Sequence, residues 1–132
     1  KQTDIASIFG VSQPTVSYRL KRAEARIRYL IKMPEVDTSG MKDVLFAVLG
    51  DPMDVQIMLL MIETTCQSEV AKRLGVSQGL VRHRFLRAID KLKLEPGCEG
   101  YVLLFRHVAE NLNILREVQR SQWDTPVLHL LG

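Results

Sequence analysis

The sequence predicts an all-α fold: two bihelical units joined by a helical linker and followed by a C-terminal helix. Three observations predict it: an internal repeat, apolar residues at helical rather than alternating spacing, and Gly and Pro at the points where helices would start and stop. Residues 2–27 laid over 67–92 without a gap agree at Gln2/Gln67, Ala6/Ala71, Gly10/Gly75, Val11/Val76, Ser12/Ser77, Gln13/Gln78, Val16/Val81, Arg19/Arg84, Arg22/Arg87 and Ala23/Ala88. Chance gives about one or two such matches in a window of that length.

Each matched position has a task in crossing two helices over a tight turn. Ala6 and Ala71 are small where the helices must approach. Gly10 and Gly75 fall where the first helix ends and the backbone needs a left-handed residue. Val11 and Val76 plug the turn, and Ser12 and Ser77 are N-caps for the helix that follows. Pro14 sits in the first turn of its helix, where a missing N–H is no loss.

Helices are expected over about residues 2–9 and 13–32, the second ended by Pro34, with Glu35 to Gly40 as a linker. Two more follow at about 41–49 and 52–64, parted by Gly50-Asp51-Pro52, in which Asp51 caps, Pro52 takes the first position and Asp54 completes an acidic first turn. The 52–64 segment is apolar around much of its circumference and is expected at the centre; its methionines fit a core better than an adaptable groove. The second motif occupies about 67–74 and 78–94, ended by Pro96-Gly97, and a last helix runs over about 101–121.

The domain organisation that results is a first unit over 1–33, a second over 41–95, and a C-terminal helix and tail over 100–132. The first unit begins almost directly on its first motif helix, so residues before Lys1 or another part of the fold are expected to close its core. In the last helix Tyr101, Phe105, Val108, Leu112 and Leu115 step by 4, 3, 4, 3. That spacing fits a homodimer through residues 101–121, or a helix folded back onto the repeats that covers Leu86. The apolar tail from Trp123 to Leu131 is expected to dock on this chain or a partner.

Within each second motif helix one stripe is apolar: Val16, Leu20, Ala23 and Ile27 in the first copy, Val81, Phe85, Ala88 and Leu92 in the other. The opposite face carries Gln13, Thr15, Ser17, Tyr18, Lys21 and Arg22 in one copy, and Gln78, Arg82, His83 and Arg87 in the other. A helix in the major groove reads bases near its N-terminus and meets phosphates further along. By that division Gln13 and Gln78 can pair bidentately with adenine and Arg82 with guanine. Arg19, Lys21, Arg22, Arg84 and Arg87 are expected to meet phosphates.

Charge is segregated to match. Residues 1–33 and 67–94 each carry seven Lys/Arg against two Asp/Glu, whereas residues 34–66 carry one against six and 95–132 three against five, within an overall net charge of +3. Two cationic footprints on an otherwise acidic chain suit a polyanionic partner, double-stranded DNA. No apolar run is long enough to span a bilayer and no secretory leader is present, so a cytoplasmic protein is expected. Cys66 and Cys98 lack a CxxC spacing and read as two reduced, partly buried thiols; His83, His107 and His129 are scattered; no metal or cofactor is expected. Without a phosphate loop, GxGxxG, HExxH or nucleophile elbow, no catalytic residue is expected and the chain does not read as an enzyme.

Residues 49–93 resemble region 4 of bacterial sigma-70-type factors in a loop and apolar helix followed by Glu69-Val-Ala, Leu74-Gly-Val-Ser77, Val81 and Arg87-Ala88. The same positions are similar to LuxR-type DNA-binding domains, and residues 4–23 look like the motif without its leading helix. The resemblance implies a helix-turn-helix fold and sequence-specific DNA binding, as in a bacterial or phage transcription regulator associated with the nucleoid and reading a bipartite site. Nothing in the chain looks like a promoter-melting region 2. A DNA-packaging or partition component, or an adaptor binding RNA polymerase, stands as the alternative.

Overall fold

The computed structural model describes residues 13–115, which are all-helical and contain no strand. They fall in two compact units, one holding α1 (Gln13–Ile31) and the other running from Lys32 onward. The helix expected over about 2–9, the C-terminal tail and the side chains of Gln13 and Thr15 lie outside the described residues.

In the first unit α1 is a helix of 19 residues carrying an exposed Glu24–Arg28 ion pair of 3.1 Å one turn apart. Val16 and Tyr29 are buried. The expected apolar stripe is not buried as a whole: Leu20 is 45% and Ile27 57% exposed, and Ala23 is exposed too. The matching stripe of the second copy is closed by helices on either side, whereas α1 is the whole of the described first unit.

The second unit contains α2 (Met41–Leu49), α3 (Pro52–Thr64), α4 (Gln67–Leu74), α5 (Gln78–Lys93) and α6 (Glu99–Glu110). Local chemistry sets nearly every boundary. Asp51 accepts the Met53 N–H at 2.8 Å and Pro52 opens α3, as its missing N–H allows. Gly75, at φ 68, ends α4, and both its N–H and that of Val76 return to the Ala71 carbonyl. Ser77 then caps α5 through its hydroxyl, which accepts the Leu80 N–H at 3.1 Å. The connecting turn is three residues long, which forces α4 and α5 to cross steeply.

Around these turns one core forms. α5 lies inward through Val81, Phe85, Ala88, Ile89 and Leu92, between α3 and α4 on one side and α6 on the other. Met58 and Met61 of α3 are completely buried, so its methionines are core. Phe85 meets Phe105 of α6 edge to face, with centroids 6.3 Å apart and planes at 78°. The linker also contributes: Val36 packs on the core and lies so near α6 that a Cβ on Gly100 would come within 3.3 Å of it.

The final helix is shorter than its spacing predicts. It stops at Glu110, and residues 111–115 form turns. Asn111 directs its side-chain amide to the His107 carbonyl, Asn113 adopts φ 67, and the Asn113 and Leu115 N–H groups donate to Thr65, at 2.6 Å to its carbonyl and 2.9 Å to its hydroxyl. Asparagine competes with helix continuation in this way because its short amide can satisfy backbone groups itself. Of the supposed heptad stripe, Phe105 and Val108 face this chain's own core, and Leu112, past the end of the helix, is 38% exposed. Leu86 stays 44% exposed, on an open groove of about 380 Å³ between α5 and α6.

Phe85→Ala removes the side chain on which α3 and α6 converge. A loss of about 3–5 kcal/mol in unfolding free energy is expected, measured by denaturant titration; a loss below about 1 kcal/mol would contradict a central role for this residue.

Candidate nucleic-acid interface

The inward stripe of α5 leaves an outward one, and the two are set by the same 3.6-residue period. Gln78, Gly79, Arg82, His83, Leu86, Arg87 and Asp90 are all exposed. Gln78 and Gly79 occupy the first turn, with Arg82 and His83 one turn on and Arg87 beyond them. The N-terminus of α5 carries unpaired amides and the positive end of the helix dipole, which favour an anion. Nothing in the structure crowds Gly79: a Cβ there would meet no atom within 4 Å.

The cations of this face differ in how they are engaged. Arg82 has no carboxylate partner among the described residues, so its five donors face solvent. Arg87 approaches Asp54 at 3.9 Å, too far for a hydrogen bond, and half its side chain is exposed. Arg73 of α4 is tied to Glu63 at 3.3 Å and Glu69 at 3.5 Å, while Lys72 is exposed.

Arg84, expected to meet phosphate, is turned inward instead. A single nitrogen, Nη1, donates to Asp51 Oδ2 at 2.9 Å and to Asp54 Oδ1 at 3.1 Å, and only 26% of the side chain is exposed. The Met53 N–H first, and the Arg84 guanidinium second, hold the Asp51 carboxyl below its ordinary value; those two carboxylates hold Arg84 above its own. Asp54 is 2% exposed. Its place at the helix start accounts for an acidic residue there but not for its burial; the signal in the sequence for a partnered charge is an acidic residue flanked by Met53 and Val55 in a largely apolar helix.

The first copy is placed differently. Tyr18 and Lys21 are exposed, while Ser17, Arg19 and Arg22 are half-buried. Tyr18, Arg19 and Arg22 each engage another group of the protein. The structure therefore assembles Gln78, Arg82, His83 and Arg87 into one outward face, and in the first copy it puts Tyr18 and Lys21 at the surface.

Among the described residues no group of three or more His, Cys, Asp or Glu side chains could hold a metal ion, and no helix is long and apolar enough to cross a membrane. Cys66 and Cys98 are free thiols, both buried. No known protein family, curated protein or solved structure matches the chain.

The lowered ionisation of Asp51 carries a sign. A carboxylate that ionises more readily when folded contributes stability above its unfolded value, near pH 4, and that contribution disappears as pH falls through its folded value. Acid unfolding of Asp51→Asn, which keeps a capping oxygen without the charge, is expected to be less steep below about pH 4 than that of the parent chain. Identical acid limbs would contradict this. Gly79→Ala is expected to stabilise the protein by about 0.5–1 kcal/mol, because alanine favours a helical turn that here has room for it; thermal denaturation measures the gain.

Proposed function

We propose that this chain binds double-stranded DNA sequence-specifically through α5 and acts as a transcription regulator, in a bacterial or phage setting. The observation that carries the reading is the outward face of α5. Hydrogen-bonding side chains at its N-terminal half, Gln78, Arg82 and His83, stand in solvent on a helix whose opposite side is locked into a core. Such a helix enters the major groove with its first turns against base edges. Arg82 suits guanine and Gln78 adenine, each through two hydrogen bonds. Arg87 and Lys72 supply cations for the flanking phosphates.

The sequence repeat supports a bipartite site, since a second cationic unit on the same chain would address a second, unlike half-site. Tyr18, Lys21 and Arg22 are its candidate contacts, with Gln13 and Thr15 at the head of their helix. Resemblance to sigma region 4 favours transcription over packaging among DNA-binding roles. RNA polymerase is the protein partner that this resemblance suggests.

Selection of bound duplexes from a random pool, using the full chain, is expected to return a defined sequence. Failure to enrich any, together with no binding of duplex DNA at low salt, would overturn the reading. On the selected duplex, Arg82→Ala is expected to cost about 1–3 kcal/mol and to relax preference at one base pair. If both units engage about six to ten phosphates, log affinity will fall with log salt at a slope of about −5 to −9; a slope near −3 indicates that α5 works alone.

A further inference from the structure

We infer that Asp54 and Arg84 are positioning residues for the DNA-reading face: the pair sets the rotation of α5 about its own axis, and so decides which side chains meet the base edges. The inference rests on α5 being the reading helix. Val81, Phe85, Ala88, Ile89 and Leu92 hold α5 on the core by apolar contact, which is non-directional but close-packed, so it bars a turn of about 20°, which would carry a core side chain about 6 Å from the axis through about 2 Å. Within that limit a turn of about 10° still moves an outward side chain by about 1 Å, enough to weaken a base-edge hydrogen bond.

The Arg84 contacts supply the missing direction. Its Nη1 lies 2.9 Å from Asp51 and 3.1 Å from Asp54, which stand three residues apart at the start of α3. Asp51 is fixed in turn, because its other oxygen accepts the Met53 N–H. A rotated α5 would leave Asp54, 2% exposed, as a buried charge without its guanidinium, an arrangement that burial strongly disfavours. Arg82 and His83 immediately precede Arg84, so its setting is theirs. The same carboxylate reaches towards Arg87 at 3.9 Å, near enough to orient that cation and too far to hold it from a phosphate. Ion pairs buried in this way often add little net stability, and their best-attested use is to fix register.

The test uses the full chain, its selected duplex and a scrambled duplex of equal length, with Asp54→Asn and Arg84→Lys compared to the parent by fluorescence anisotropy. For both variants affinity for the selected duplex is expected to fall about tenfold or more. Affinity for the scrambled duplex is expected to hold, and in Asp54→Asn to rise, since a negative charge has been removed from beside a polyanion. A purely stabilising role would lower both affinities together. A ratio of the two affinities within twofold of the parent overturns the inference. Should Asp54→Asn fail to fold by circular dichroism, the Arg84→Lys ratio decides, because lysine keeps the charge and loses the planar fork. A parent chain that prefers no duplex overturns the DNA reading itself, whereas a preference retained in both variants removes only the positioning role.

Discussion

Burial of one side of α5 is the constraint from which the rest of the second unit follows. With Val81, Phe85 and Leu92 wholly removed from solvent, α3 must lie against one flank of the helix and α6 against another. The short turn after Leu74 then fixes where α4 can go. The outer side is what remains: the same period that fills the core carries Gln78, Arg82, His83 and Arg87 away from it, together with Gly79, Leu86 and Asp90.

How much of this was legible in the sequence depended on the range of the interactions involved. The starts at Met41, Pro52 and Gln78 are written in their immediate neighbours: a cap, a proline or a left-handed glycine acts within a few residues, and the structure begins each of these helices where those residues place it. The end at Glu110 was not legible, because Leu112 and Leu115 continue a helical spacing while the bonds from Asn113 and Leu115 to Thr65 bridge about fifty positions. Periodicity reports what a segment can do alone, and here a distant hydroxyl and carbonyl prevailed.

The candidate site divides along the same line. The exposure of Gln78, Arg82, His83 and Arg87 follows from the period of α5 and could be read from it. Arg84 could not, since its partners Asp51 and Asp54 lie some thirty residues earlier and meet it only when α3 and α5 pack. In the first copy Leu20 and Ile27 show the converse. Their spacing matches Phe85 and Leu92, yet they are 45% and 57% exposed: periodicity puts side chains on one face and does not say what lies against it, as α3 and α6 do in the second copy.

Thr65 is a β-branched residue at φ 52, a conformation that its side chain resists. Its carbonyl and hydroxyl each receive an N–H from the segment just past α6. The corner joining α3 to α4 is therefore clasped by the last part of the unit to be synthesised. During translation the motif helices can form early, but that corner stays without its clasp until Leu115 has emerged, which ties completion of the bihelical motif to residues that never touch its outer face.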